Sequence, residues 1–297
     1  MTEKTTLVLG TATPGGGFPA YGWPYAEVLN EMEPTLAIEP INTKGSTENA
    51  PLLEQNKLDL GLVTGEVTYE AVSGIGQPPA SNLRIINATY SQAGMFMVRA
   101  DSPYRNIADL KGKPVVWGAA TSGFIVLARY VMDGLGLDMK EDFQAILLDK
   151  AGDGPPMVLD GRAAAMWGGG VGWPPFMAIA KGPAGGRFVH PTAGEISRIM
   201  AKHAFLKGTL MPAGSYPGQV APIPSVGSWP FVLARATLLD DVAYRLARAL
   251  HRAEGTFGKR LEQAAESTLA NTLAAAPSRD LIHPGVLRYL REIGLVH

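Results

Sequence analysis

Short apolar runs alternate along the chain with longer stretches in which apolar residues recur every three or four positions. The spacing of Tyr25, Val28, Leu29 and Met32 is typical of a helix with one apolar face. Strands and helices that follow one another in this way predict an α/β fold with largely parallel strands. The runs that predict strands are 6–10, 36–42, 58–64, 83–90, 95–100, 113–119, 143–149, 163–169 and 229–235.

The last part of the chain has a different pattern, which predicts helices over 240–270 and 283–294. The first begins at two aspartates, and the second begins at "HPG", where proline suits the first helical turn. The Pro- and Gly-rich run 212–224 is interpreted as a return crossing between two lobes. No tandem repeat of fixed period is present.

Composition restricts the function. The chain has 297 residues and 46% hydrophobic content, enough for two lobes. Lys and Arg (26) nearly cancel Asp and Glu (27), so no global charge favours nucleic acid as a partner.

The apolar window 124–132 is far shorter than the roughly 20 residues that span a bilayer. The first ten residues lack the apolar core of a signal peptide, so we expect either a cytoplasmic protein or one whose leader has been removed.

The glycine-rich loop "GTATPGGGFPAYG" at 10–22 raises the possibility of dinucleotide binding. Gly15, Gly17 and Ala20 fit G-x-G-x-x-A, and Glu39 ends the next predicted strand. However, several residues separate the glycines from the strand, and Pro19 lacks the N–H that a pyrophosphate needs at a helix start. A P-loop is also disfavoured, because no Lys-Ser or Lys-Thr follows the glycines.

Searches for catalytic and metal-binding motifs identify no candidate. There is no cysteine and no G-x-S-x-G, and the 5 histidines lack a metal-binding spacing. His283 is interpreted as a helix-start residue rather than a general base. We therefore predict no catalytic residue, no metal site and no cofactor.

Hydroxyl residues recur in the loops that precede predicted helices: Thr13, Ser46, Thr47, Thr121 and Ser122. Each of them alone is more commonly an ordinary helix cap. Together they predict a cleft in which hydroxyls and helix N–H groups bind an anion, because the carboxyl ends of parallel strands face one crevice.

Aromatic residues lie in the same loops, and rings beside helix starts suit a pocket for an organic acid. We expect about half of these rings to lie in the core. Lysine and arginine are nearly absent from the loops, with Lys44 as the exception, so amides and hydroxyls are predicted to hold the ligand. The rings are Phe18, Tyr21, Trp23, Tyr69, Phe124, Trp167 and Trp173.

With these loops in view, the chain resembles the TAXI family of solute-binding proteins, the extracytoplasmic receptors of TRAP-type secondary transporters. The resemblance covers almost the whole chain. It is carried by the glycine run at 10–22 and by "KGSTENAPLL", "LDLGLVTGEVTYEAVSG", "IADLKGKPVVWGAATSG", "DGRAAAMWGGGVGWPP" and "LIHPGVLRYLREIG". Each segment alone is unspecific. The occurrence of all six segments in the same order along the chain is specific.

The resemblance implies a two-lobed periplasmic-binding-protein fold of the second type, with a ligand cleft between lobes that two hinge segments join. Lobe 1 would comprise residues 1–100 and 218–297, and lobe 2 residues 101–217. It further implies a periplasmic location after removal of a leader, a membrane-embedded TRAP permease as partner, and a small organic anion as ligand. We expect a monomer. The residues carried over from the family are Thr13, Gly16, Phe18, Ser46, Thr121, Ser122, Gly123 and Trp173.

Two departures from the family pattern bear on the ligand. Phe18 and Pro19 replace the paired tyrosines that commonly follow the glycines, and Glu66 replaces the usual aspartate after the third strand. With Trp23 and Trp173 nearby, these changes favour a less polar or aromatic carboxylate over glutamate, although amino acids and dicarboxylates stay open. Two other functions stay open as well: an enzyme on the same fold that acts on an organic acid, and a ligand-sensing module.

Overall fold

The computed structural model describes residues 4–297 and contains strands and helices throughout. The strands are β1 (Thr5–Gly10), β2 (Leu36–Ile41), β3 (Leu60–Val63), β4 (Leu83–Ala88), β5 (Met95–Arg99), β6 (Pro114–Ala119), β7 (Gln144–Leu148), β8 (Ala165–Gly168), β9 (Gly186–Val189), β10 (Lys207–Met211), β11 (Ile223–Gly227) and β12 (Phe231–Arg235). The helices are α1 (Gly17–Met32), α2 (Ser46–Glu54), α3 (Gly65–Ser73), α4 (Gly123–Leu135), α5 (Gly154–Leu159), α6 (Pro174–Ala180), α7 (Ala193–Lys202), α8 (Asp240–Ala253), α9 (Phe257–Arg260), α10 (Leu269–Ala275) and α11 (Pro284–Glu292). Every strand predicted from the sequence is therefore present.

The chain forms two compact units, each made of more than one segment. The first unit comprises the chain up to Ala12 together with Phe18–Tyr90 and Trp229–His297. The second unit comprises Ser91–Ser228 and the short segment Thr13–Gly17. The C-terminal part of the chain therefore belongs to the same unit as its N-terminal part.

The first unit is built on a five-stranded sheet in the order β2-β1-β3-β12-β4. β1 pairs in parallel with β2 and β3, and the central strand β3 is buried along its whole length. The apolar run of β3 fits this position, because strands with both faces covered read as continuous apolar runs.

The second unit has its own five-stranded sheet, in the order β7-β6-β8-β5-β9, and a separate hairpin of β10 and β11. β6 is parallel to β7 and to β8, whose residues are all buried. The sequence pattern missed β9, β10 and β11. Most positions of β9 are half-buried and most of β10 are exposed or half-buried, so their side chains do not form a continuous apolar run.

The strands are largely parallel, as predicted, but one inner strand of each sheet runs in the opposite direction to the other four. β12 is antiparallel to β3 and β4, and β5 is antiparallel to β8 and β9. Each sheet is therefore mixed. The orientation of β5 and β12 depends on where the chain enters each sheet. The residues of the two strands do not indicate this entry point.

The observed division of the chain differs from the predicted bounds at 100/101 and 217/218. The units change at 90/91 and at 228/229. β5 belongs to the second unit because it pairs with β8 and β9 there, and β11 belongs to it through β10. The Pro- and Gly-rich run 212–224 is consequently not a crossing, since it contains the loop of the β10–β11 hairpin.

The helix ends follow local sequence closely. α11 begins at Pro284, as "HPG" predicts, and the side chain of His283 accepts a hydrogen bond from the N–H of Gly285. The single helix predicted over 240–270 is instead divided into α8, α9, a 3₁₀ turn over Glu262–Glu266 and the start of α10. None of the helices within residues 4–297 is long and apolar enough to cross a membrane.

Candidate ligand-binding site

The opening loop connects β1 to α1, and its first residues pack in the second unit. The Thr13 hydroxyl accepts a hydrogen bond from the N–H of Ala151 at 3.4 Å. The N–H of Gly16, which is buried, donates to the carbonyl of Thr13 at 3.3 Å. The Thr13 hydroxyl and the Gly16 N–H therefore already have hydrogen-bond partners within the protein. Pro19 lies in the first turn of α1, so the loop keeps the feature that counts against dinucleotide binding.

Phe18 lies in the first turn of α1, in the first unit, and only 7% of its surface is exposed. Tyr21 and Tyr25 follow it on the buried side of the helix. The Tyr21 hydroxyl lies 2.9 Å from Ser267 Oγ, and Tyr25 donates to Asn87 Oδ1 at 2.9 Å. Burial raises the pKa of both tyrosine hydroxyls, so they are neutral core groups rather than acids.

Ser46 begins α2 in the first unit and is fully buried. Its hydroxyl accepts a hydrogen bond from the backbone N–H of Thr64 at 3.1 Å, so it ties α2 to the end of β3. Its neighbour Thr47 is exposed. The structure therefore separates two residues that the sequence grouped, because consecutive helical residues point in different directions.

Asn49 is the main structural residue of this region and was missed as a site residue. Its side-chain N–H₂ group donates to the carbonyls of Thr11 and Leu62, each at 2.8 Å, and so joins the ends of β1 and β3 to α2. The signal was present in the sequence as the Gly-Ser-x-x-Asn spacing. One helical turn places Ser46 and Asn49 on the same face of α2.

The start of α3 brings Thr64 and Glu66 into the first unit's interior. Glu66 is fully buried in the first turn of the helix, where the dipole favours a negative charge. Thr64 is the N-cap residue but its side chain makes no capping bond. Among the described residues, the buried Thr64 hydroxyl has no hydrogen-bond partner.

In the second unit, Thr121, Ser122 and Gly123 lead into α4 directly after β6. Ser122 is half-buried, and its hydroxyl accepts a hydrogen bond from the N–H of Phe124 at 3.2 Å. This bond is an ordinary helix cap, and it leaves the O–H of Ser122 as a donor. Thr121 is half-buried and Gly123 is buried.

Trp173 lies at the start of α6, where 6% of its surface is exposed. Its indole ring packs against the Phe124 ring, with 5.4 Å between the ring centres, and against Phe176 at 4.9 Å. The second unit thus packs the Trp173 ring against Phe124, a residue of the first turn of α4.

Most of the aromatic side chains that the sequence placed in these loops belong to the core. Phe18, Tyr21, Phe124, Trp167 and Trp173 are buried. Trp23, which is 39% exposed, and the half-buried Tyr69 are the exceptions. The core share is larger than the expected half, because helix starts at the ends of buried strands are themselves well covered.

Positive charge is scarce in the loops that follow the parallel strands. Lys44 after β2 and Lys150 after β7 are the cationic residues there, and both are exposed. Within residues 4–297, no group of three or more His, Asp or Glu side chains is placed to hold a metal ion. His283 is buried, with its Nε2 3.1 Å from the carbonyl of Leu238, and burial lowers its pKa. It is a structural group of the first unit.

The match to known protein families covers residues 9–294, and the matching model is the NMT1-like family. The chain belongs to the NMT1-like family. The match spans both units and every candidate residue described above.

Solved structures with similar folds include an ancestral arginine-binding protein bound to arginine, at 15% identity over 88% of this chain and 98% of that one, with a TM-score of 0.54. The alkanesulfonate-binding protein SsuA from Xanthomonas axonopodis pv. citri bound to MOPS is 17% identical over 98% of this chain and 85% of that one, with a TM-score of 0.52. The substrate-binding protein of an amino acid ABC transporter is 12% identical over 87% and 98%, with a TM-score of 0.52. These likenesses show the fold, and the predicted two-lobed periplasmic-binding-protein architecture is confirmed.

Proposed function

We propose that this member of the NMT1-like family is an extracytoplasmic solute-binding protein of the TAXI type, which captures a small organic anion for a TRAP-type permease. The fold supports a binding protein, and the segments that resemble the TAXI family run in order through both units. The similar structures include an arginine-binding and an alkanesulfonate-binding protein. In this role the protein has no catalytic residue and acts as a monomer in the periplasm.

The observation that carries the proposal is the start of α4. The half-buried Ser122 keeps an O–H to donate, and the N–H of Gly123 belongs to the first helical turn, where backbone N–H groups lack intrahelical acceptors. The positive end of the helix dipole adds a favourable term for a carboxylate or sulfonate. Phe124 belongs to this turn and its ring packs against Trp173, so an acid with an apolar or aromatic body fits the chemistry of the second unit.

The ligand in this proposal is bound by neutral donors rather than by a guanidinium or ammonium group. The lysines of the strand-end loops are exposed, and the loops after β1, β3, β6 and β8 contain no lysine or arginine up to the next helix. Affinity should therefore depend only weakly on ionic strength, because salt mainly screens attraction between exposed charges.

A thermal-shift and calorimetric screen tests the proposal with glutamate, succinate, benzoate, phenylacetate and ethanesulfonate. A ligand that binds only the folded state at a hundredfold excess over its Kd adds about 2.7 kcal/mol, which raises the Tm of a chain of this length by about 4 °C. We expect at least one acid to do so, with phenylacetate or benzoate ahead of succinate. Absence of a shift with all five contradicts organic-anion binding, and chemical turnover of a bound acid favours an enzyme.

The transporter type needs a separate experiment. Proteoliposomes that contain TRAP permease subunits and receive this protein with a bound acid should take up the acid under an ion gradient without ATP. The control is a set of proteoliposomes without the binding protein. Uptake that requires ATP and an ABC permease contradicts the TRAP assignment while leaving solute binding in place.

A further inference from the structure

The loop that carries Trp173 is wound tightly. It follows β8 and passes through Gly170, whose φ of 93° lies in the left-handed region that favours glycine. The Trp173 ring lies directly on Gly168, because a Cβ added there would be 2.1 Å from the Trp173 Cζ3 atom. The position of the indole therefore depends on the path of a few backbone atoms.

The side chain of Tyr216 holds that path at two points. The Tyr216 hydroxyl donates to the carbonyl of Gly170 at 2.5 Å and accepts from the N–H of Trp173 at 2.8 Å. Tyr216 is 3% exposed, and its ring packs against Phe188 with 5.2 Å between ring centres and against Phe176 at 6.1 Å. Both ends of the bend are thus joined to one buried oxygen atom, which acts as donor and acceptor together.

The loop that carries Tyr216 is held by hydrogen bonds of its own, which do not involve the Trp173 loop. Tyr216 lies in the loop of the β10–β11 hairpin, where Ser215 Oγ donates to the carbonyl of Pro212 at 2.7 Å. The side-chain amide of Gln219 donates to Pro212 and to Ala221, at 2.9 and 2.7 Å. The Tyr216 hydroxyl therefore reaches the Trp173 loop from a second loop, whose conformation is fixed by its own hydrogen bonds.

We propose that Tyr216 is a positioning residue that sets the place of Trp173 and thereby the preference of the second unit for the apolar part of an organic acid. This inference rests on the proposed function. The mechanism is preorganisation: with the hydroxyl present, the indole has one position against Phe124, so the small exposed part of this ring pair, 6% of Trp173 and 8% of Phe124, meets a ring-bearing ligand without rearrangement. Small acids without an apolar body gain little from it.

The test compares Tyr216→Phe with Ser225→Ala as a matched control. The first removes the hydroxyl and keeps the ring packing. The second removes another buried hydroxyl of the second unit, whose hydrogen bond goes to the carbonyl of Gly94 at 2.5 Å rather than to the Trp173 loop. In the ligand-free protein, hydrogen exchange at the Trp173 amide should accelerate at least tenfold in Tyr216→Phe and stay unchanged in Ser225→Ala. Equal exchange in parent and Tyr216→Phe overturns the positioning role.

Calorimetry then compares phenylacetate with acetate. We expect Tyr216→Phe to lower the ratio of their affinities at least fivefold, and Ser225→Ala to preserve it. An equal loss for both acids, or an unchanged ratio, overturns the role in ligand preference. If neither acid binds the parent, the ligand role fails together with organic-anion binding, while the exchange result still decides whether Tyr216 positions Trp173.

Discussion

Two serines at helix starts, one in each unit, show how similar local sequences acquire different roles. Ser46 begins α2 in the first unit, is fully buried and binds the backbone of Thr64, 18 residues away. Ser122 precedes α4 in the second unit, is half-buried and binds the N–H of Phe124, two residues away. One hydroxyl joins distant segments, whereas the other caps its own helix and keeps its O–H as a hydrogen-bond donor.

The difference teaches that a hydroxyl at a helix start is available to an anion only when the surrounding fold does not use it. In the first unit, α2 packs closely on β3, and Asn49 joins the strand ends. In the second unit, the Phe124 side chain in the first turn of α4 packs against the Trp173 ring. The contacts of Ser46 and Asn49 stabilise the fold of the first unit, and we propose that the helix start at Ser122 in the second unit binds the ligand.

The largest effect is expected from Asn49→Ala in the first unit. The substitution removes hydrogen bonds to the carbonyls of Thr11, which keeps a bond from the Thr43 hydroxyl, and Leu62, and it empties the space of a fully buried side chain, so the free energy of unfolding should fall by about 3 kcal/mol. Chemical denaturation measures it. Asn42→Ala removes an exposed bond to Ala12 and should cost less than about 1 kcal/mol. An equal loss of unfolding free energy in the two variants would contradict the structural role of Asn49.

A smaller effect is expected from Gly168→Ala in the second unit. The new methyl group collides with the Trp173 ring, so the indole shifts and stability falls by about 2 kcal/mol. Gly194→Ala is the control, because a Cβ there meets nothing within 4 Å and the residue lies in α7. Denaturation and tryptophan fluorescence of both variants measure the outcome. Unchanged fluorescence in Gly168→Ala would contradict the packing described for Trp173.

The smallest effect is a pH dependence that comes from the first unit. Burial lowers the pKa of His283 below its ordinary value of 6.5, so the unfolded chain binds the proton more readily than the folded one. The free energy of unfolding should therefore decrease as pH falls below 6.5, down to the pKa of the folded state. His283→Gln should abolish this part of the slope. If the unfolding free energy of His283→Gln still falls with pH in this range, a group other than His283 causes the pH dependence.

Much of the fold could be predicted from the sequence, because the apolar runs of β1 to β8 and β12 are continuous and local. The orientation of β5 and β12 and the exposed strand β10 could not, since these depend on partners distant in the chain. The predicted site divides in the same way. The cap at Ser122 follows from adjacent residues, whereas the bond from Thr64 to Ser46 and the two bonds of Tyr216 join segments that no local pattern links.

The central claim is tested most directly by calorimetric titration of Ser122→Ala and Ser46→Ala with whichever acid of the screen binds the parent most tightly. Thr192→Ala, which removes the cap of α7 in the second unit, controls for the loss of a cap alone. We expect Ser122→Ala to weaken binding by about 1–3 kcal/mol, because a charged acceptor loses a hydrogen bond. Ser46→Ala and Thr192→Ala should bind like the parent while losing about 1 kcal/mol of stability each. Parent-like affinity in Ser122→Ala, or weakened affinity in Ser46→Ala, would contradict the assignment of the two roles.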